Sequence, residues 1–394
     1  MSVPKLRFPG FAGEWEKTQL RQVLKSVDAG WSPSCEERKA QPHEWGILKT
    51  TAVVWGGYDH TQSKALPSKL SPRAQLEVRA DDILVTRAGP IERVAVVAHV
   101  EATRPKLMIS DKLMRARVNE AVSPAFIART LGTRRAQAFF AARKSGLAEA
   151  QANISQAILN ATPIYIPSLP EQQKIAAFLG AVDAKLAALA VKQAALARFK
   201  AGLMQKLFSQ QLRFTRGDEK AFPDWEEKQL EEVAAINKGK QLNRDTLESS
   251  GQYPVINGGI TPSGYHDGYN TEAGTITISE GGNSCGYVGF QNVPFWSGGH
   301  CYALSPYPRS VLTYFLYQAL KFSELSIMRL RVGSGLPNIQ KGDLSKFLLP
   351  LPHPDEQQKI ANALSALDTK IQAVADQVTK LKTFKKGLLQ QMFV

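Results

Sequence analysis

The stretch PEQQKIAAFL at residues 170–179 returns as DEQQKIANAL at residues 355–364. Laying 167–208 over 352–393 needs no gap and gives 20 identities in 42 positions, among them Glu171/Glu356, Lys174/Lys359, Asp183/Asp368, Phe199/Phe384 and Gly202/Gly387. Agreement that dense at a fixed offset marks an internal duplication. Each copy reads as one long helix. Ser168 with Glu171 has capping-box spacing, Pro170 is tolerable in a first turn, and Asp355 with Gln358 offers a similar start.

The apolar positions then alternate in steps of four and three, the spacing of a heptad seam. The first copy runs Ile175, Leu179, Val182, Leu186, Leu189, Gln193, Leu196, Lys200, Leu203 and Leu207. The second runs Ile360, Leu364, Leu367, Ile371, Val374, Val378, Leu381, Lys385, Leu388 and Met392. Lys200 and Lys385 interrupt the seam at the same heptad, each beside a Phe. Such a helix is roughly 58 Å long at 1.5 Å per residue, and its single apolar stripe needs a partner. The other copy is the obvious one, lying antiparallel; packing on its own domain or pairing with another chain are the alternatives.

The segments before the helices correspond more weakly. FAGEWEKTQLRQVLKSV (11–27) aligns with FPDWEEKQLEEVAAINK (222–238), pairing Trp15 with Trp225, Gln19 with Gln229, Leu20 with Leu230 and Val23 with Val233. DDILVTRAG (81–89) matches GTITISEGG (274–282), each a strand running into a glycine turn. ANISQAILNATPIYIPSLP (152–170) parallels PNIQKGDLSKFLLPLPHPD (337–355). The expected fold class is mixed α/β: two globular domains, residues 1–166 and 211–351, joined and spaced by two long helices, 167–210 and 352–394, as a pseudo-two-fold internal repeat forming an antiparallel coiled coil. The helices do the same thing twice, and the domains do different things.

Composition narrows the functions. At 394 residues and 43% hydrophobic, the chain holds two or three compact units. No apolar run is long enough to span a bilayer and no leader pattern opens the sequence, so a cytoplasmic protein is expected. Cys35, Cys285 and Cys301 are too scattered for a disulfide framework or a metal site. The net charge of +14 is uneven: residues 1–169 carry 24 basic and 15 acidic side chains, residues 209–353 carry 13 and 14. Nucleic acid is a plausible partner, more plainly for the first half. No phosphate loop, GxSxG elbow, HExxH or paired-carboxylate pattern occurs. Asn292-Val293-Pro294-Phe295 resembles the turn that holds a flipped base in amino-methyltransferases but lacks its second Pro, and reads as a turn between strands. The chain is expected to hold no catalytic residue and no cofactor of its own.

Binding candidates are the polar, glycine-bearing loops that cap the predicted strands. In the first domain they are Lys49, Thr50, Trp55, Thr86, Arg87, Arg93, Arg143 and Lys144. In the second they are Lys238, Lys240, Arg244, Asn257, Ser279, Asn283, Tyr287, Arg329, Arg331, Ser334 and Asn338, with Glu280 in the same SEGG turn. Arg and Lys suit guanine edges and phosphates, Asn suits adenine, and Glu suits a cytosine amino group.

The paired Pro-x-x-x-Glu-Gln-Gln-Lys-Ile starts (Pro167–Ile175 and Pro352–Ile360), the ILVTRAG and ITISEGG turns, VGSGLPNI at 332–339 and the QKLF and QQMF helix ends resemble the specificity subunit of type I restriction-modification systems, over nearly the whole chain. The resemblance implies that two target-recognition domains each read half of a bipartite double-stranded DNA site. It implies that the coiled coil sets the unread spacer and docks two adenine-methyltransferase (modification) subunits, and through them the restriction and translocase subunits. The complex is expected to use S-adenosylmethionine, ATP and Mg. For docking, the repeated Glu171, Gln172, Lys174, Glu356, Gln357 and Lys359 are the candidates. A stand-alone DNA-binding adaptor is the alternative, and a DNA methyltransferase a remoter one.

Overall fold

In the computed structural model the described residues are 3–35, 37–146, 152–307, 311–333 and 335–394. They form two compact units: residues 1–190 with 376–394, and residues 191–375. Each unit therefore contains one domain, half of the central helix (Leu169–Phe208) and half of the C-terminal helix (Pro354–Met392). The second helix starts at Pro354, so Asp355 is not its N-cap but lies in its first turn, where a carboxylate faces the positive end of the helix dipole.

Unit one is built on a four-stranded antiparallel sheet in which Leu24–Ala29 pairs with Leu113–Val118, which pairs with Ile83–Thr86, which pairs with Val97–His99. Unit two repeats it with Ala234–Lys238, Cys301–Pro306, Thr275–Ser279 and Val288–Gln291 in the same order. A second, three-stranded sheet also recurs. Gly46–Leu48 lies between a parallel neighbour, Leu107–Ile109, and an antiparallel one, Ser63–Ala65. In unit two Tyr253–Ile256 lies between parallel Trp296–Ser297 and antiparallel Gly264–His266. Ile83–Thr86 is buried along its whole length because a helix, Pro124–Leu131, covers one face and the three-stranded sheet's cluster the other.

Two glycines mark equivalent strand ends. A Cβ on Gly30 would stand 2.2 Å from the Ile109 carbonyl oxygen, and one on Gly239 2.2 Å from that of Gly298. No other residue lets the backbone pass so close, which is why both first strands run into glycine.

All twenty seam positions are buried or half-buried, including Gln193, Lys200 and Lys385. In unit one the start of the central helix (Ile175, Leu179, Val182) packs with the end of the C-terminal helix (Leu388, Met392, Phe393). In unit two the end of the central helix (Met204, Leu207, Phe208) packs with the start of the C-terminal one (Ile360, Ala361, Leu364). The pairing is antiparallel in both. The two seam lysines are each neutralised by an aspartate of the facing helix: Lys200 Nζ stands 2.7 Å from Asp368 and Lys385 Nζ 2.5 Å from Asp183. Both aspartates also reach their own domain, Asp183 accepting from Arg129 and Asp368 from Tyr314 and Gln318. Burial, and then the bond to Asp368, push the Tyr314 hydroxyl well above its usual range. A lysine in a seam normally costs stability; here each one fixes the register.

The repeated Glu-Gln pair has an internal task. Glu171 is wholly buried and takes both arms of Arg7 at 2.7 Å; Glu356, equally buried, takes Arg213 at 2.8 and 3.2 Å. Gln172 accepts from the Ser123 backbone N–H and donates to the Pro167 carbonyl, both at 2.9 Å; Gln357 does the same with Leu312 and Pro352. These bonds tie each helix start to the domain that precedes it. The expectation that Glu171, Gln172, Glu356 and Gln357 meet a partner subunit is therefore corrected: they present no surface to one. Lys174 is exposed and lies 5.4 Å over the Phe8 ring, while Lys359 donates to the Thr215 carbonyl at 2.6 Å.

Candidate nucleic-acid interface

In each unit one end of the four-stranded sheet gathers the candidate loops. In unit one the strand Ile83–Thr86 leads into Arg87, whose backbone N–H donates to Lys112 and whose carbonyl accepts from Ile154 at 3.0 Å. In unit two Thr275–Ser279 leads into Glu280, whose carbonyl accepts from Ile339 at 2.8 Å. Asn153 pairs with Ala88, as Asn338 bridges to Gly281. The frame is thus the same and the side chains differ: a cation follows the strand in one unit and a carboxylate in the other.

Around Arg87 stand exposed Lys112, exposed Ser145, whose hydroxyl donates to the Asn153 side chain at 3.0 Å, and Lys144, which donates to the Ile91 carbonyl. Burial lowers the Lys144 pKa. Arg87 has no side-chain partner among the described residues. Arg143 is exposed and stacks 3.8 Å over Phe139. Lys49 and Thr50 follow the strand Gly46–Leu48, and the Trp55 hairpin is held beside them through Arg93. The Arg93 guanidinium donates to the Thr50 and Val53 carbonyls at 2.8 and 2.9 Å. Arg93 therefore brings the two loops together and is not a free reader, a correction to its assignment. Thr86 is corrected too: it is fully buried, and its hydroxyl accepts from Val96 N–H at 2.8 Å and donates to the Arg93 carbonyl.

In unit two Glu280 Oε1 accepts from Lys238 at 2.6 Å and from the Tyr302 hydroxyl at 3.2 Å, while Oε2 lies 3.7 Å from His300 Nδ1. Burial, then Glu280, push the Tyr302 hydroxyl up to about 12. Asn257 accepts from the His300 N–H at 3.1 Å, and Lys240 is exposed on the adjoining turn. Ser279 is corrected as Thr86 was, being buried and donating to the Gly258 carbonyl. Asn283 and Arg329 are exposed, and so is Arg331, whose Nε donates to the Met328 carbonyl. Tyr287 lies half-buried under Lys321, and Asn338 accepts from Gln340. Ser334 and the Arg244 side chain lie outside the described residues.

Sequence reasoning passed over Lys112, Asn153 and His300. Asn153 had a signal, since it aligns with Asn338 one residue before a repeated Ile. Lys112 and His300 had none, because pairing across the sheet brings them to the site.

A fold repeated with one topology and two loop chemistries, presenting cations and amide side chains at the same sheet end, defines a tandem recognition protein. The model of the type I restriction modification DNA specificity domain matches residues 13–197 and again 223–383, and the chain belongs to that family. It is 44% identical over 164 residues to the type I restriction enzyme EcoEI specificity subunit of Escherichia coli, a match covering 41% of this chain and 27% of that protein. The chain spans about a quarter to a half of the curated relatives it matches in this way. Its fold is similar to the crystal structure of the type I S subunit from M. genitalium, with a TM-score of 0.71, 20% identity, and coverage of 100% of this chain and 99% of that one. A chain from a study of assembly of the type I R-M system aligns at a TM-score of 0.54 with 20% identity and 99% coverage of both. Among the described residues no helix is long and apolar enough to cross a membrane.

Proposed function

We propose that this chain is the sequence-specificity subunit of a cytoplasmic type I restriction-modification complex. Each domain reads one half of a bipartite, asymmetric double-stranded DNA site. The long helices set the unread spacer and dock two adenine-methyltransferase subunits, through which the restriction subunits join. Methyl transfer and cleavage, with their S-adenosylmethionine, ATP and Mg, belong to those partners. The observation that carries the reading is the duplicated frame with opposite chemistry at one position, Arg87 in one unit and Glu280 in the other. An arginine there suits a guanine edge, and a carboxylate suits a base bearing an exocyclic amino group. Mapping methylated adenines genome-wide with the chain present and deleted tests the reading; an unchanged map overturns it.

Arg87→Glu is expected to weaken binding to the half-site of the first domain by about 1–3 kcal/mol or more and to relax the preference at the base it reads. Assembly with modification subunits should be unaffected. Binding to single-base variants of the half-site, with subunit stoichiometry followed by ultracentrifugation, checks both, and loss of assembly would contradict the division of labour. Seven residues inserted into each helix add about 10 Å of rise. The expected result is a recognised site whose spacer is longer by about three base pairs, or no recognition; an unchanged target sequence would refute the ruler role.

A further inference from the structure

Pairing across the main sheet brings a second side chain to the position where Arg87 and Glu280 differ. The ladder of unit one ends with Thr86 opposite Leu113, and that of unit two with Ser279 opposite Cys301. One step beyond, Arg87 N–H donates to the Lys112 carbonyl at 2.8 Å, and Glu280 N–H to the His300 carbonyl at 2.9 Å. Lys112 and His300 therefore stand opposite Arg87 and Glu280 on one face, with Cβ atoms about 5 Å apart. Each pair carries a cost that its own unit does not offset. In unit one two cations oppose each other, which destabilises a ladder, and neither side chain has an ion-pair or hydrogen-bond partner among the described residues. In unit two Lys238 and Tyr302 both donate to Glu280 Oε1, at 2.6 and 3.2 Å. Oε2 is buried with no hydrogen-bond donor among the described residues, and His300 Nδ1 stands 3.7 Å away. A buried acceptor left unsatisfied costs stability. The imidazole beside it is 64% exposed and free to turn, so an entering donor reaches Oε2 by moving it aside.

We infer that these cross-strand pairs are two-residue base readers: Arg87 with Lys112 takes guanine, and Glu280 with His300 takes adenine. In the major groove guanine presents two acceptors, O6 and N7, which two cations match. Adenine presents an amino donor at N6 beside an acceptor at N7. Glu280 Oε2 accepts from N6, and the imidazole, which carries an N–H whether neutral or protonated, donates to N7. Cytosine has the amino group but no acceptor beside it on the same base, so a carboxylate alone suits cytosine and the pair suits adenine. Lys238 and Tyr302 are positioning residues: by holding Oε1 they leave one oxygen, at a fixed place, for the base. The assignment rests on the proposed role as a specificity subunit and deepens it by naming the base each domain takes at this position.

The test uses the full chain with the modification subunits of its own genome, a pool of randomised duplexes, and sequencing of the bound fraction. The wild type should enrich a bipartite site with a guanine at one position of one half and an adenine at one position of the other. Glu280→Arg with His300→Lys should turn that adenine into guanine and leave the other half unchanged. Arg87→Glu with Lys112→His should turn the guanine into adenine. His300→Leu alters an exposed side chain and spares the fold; it should reduce the preference for adenine over cytosine about tenfold, within the range for a base-edge contact. A site unchanged by both exchanges, or an adenine preference that survives His300→Leu in full, would overturn the pairs and leave the specificity-subunit reading standing. So would an exchanged unit two that melts as the wild type does and selects no guanine. No bipartite site enriched by the wild type would overturn both readings.

Discussion

Glu356→Ala is expected to cost unit two about 3 to 5 kcal/mol, the range for removing one member of a buried ion pair. The carboxylate is wholly buried and holds Arg213 by two bonds and the Trp225 indole N–H by a third, at 3.0 Å. Removing it leaves two donors without an acceptor. Because the Arg213 side chain is 22% exposed and can turn partly to water, the lower end of the range applies. Replacing both partners with apolar residues, Arg213→Met with Glu356→Leu, should recover most of the loss. By contrast, Glu120→Ala breaks only the exposed pair with Lys25 and should cost under about 0.5 kcal/mol. Urea titration, with hydrogen exchange in the helix Thr313–Phe322 for the two variants of unit two and in Pro124–Leu131 for Glu120→Ala, measures all three. A loss below 1 kcal/mol for Glu356→Ala would show that the clamp does not hold the domain.

Phe393→Ala is expected to cost unit one about 3 kcal/mol, although the residue follows the last helical turn. Its ring stacks on Phe126 at 5.5 Å and meets Trp15 edge-on at 6.3 Å, inside the main cluster of the unit. Phe208 occupies the matching place against Trp225 and Phe315. The end of each helix therefore completes the core of the domain that does not precede it, and Phe208→Ala should injure unit two comparably. Thermal melting together with the emission of Trp15 and Trp225 checks both. Equal melting of wild type and variant would place the ring outside the cooperative core.

The seam was legible in full because its period is a local property: every fourth or third residue faces the partner wherever that partner comes from. Even Gln193 and the two lysines could be placed from spacing alone. The strand-to-glycine turns were legible for the same reason. What could not be read was which polar side chains are occupied. Thr86 looked like a loop hydroxyl, yet Val96 and Arg93 enclose it, and Glu171 read as a residue for docking a partner subunit, yet its partner is Arg7, 164 residues away. One signal for the clamp was present and unread: Leu6-Arg7-Phe8 recurs as Leu212-Arg213-Phe214, although arginine and glutamate lie 164 residues apart in one copy and 143 in the other. The backbone follows suit, since Leu6 N–H donates to Gln391 and Leu212 N–H to Lys206.

The Gln172 and Gln357 bonds have a further meaning. Each glutamine accepts from a main-chain N–H of the preceding domain, at Ser123 and Leu312, two residues with nothing chemically in common. An attachment that ignores side-chain identity is a universal socket. A foreign domain that delivers an arginine at one edge, a free amide at the start of its helix and an aromatic surface for the facing helix end could be plugged in, so that on the proposed function new target preferences could arise by exchange of a domain without rebuilding the scaffold.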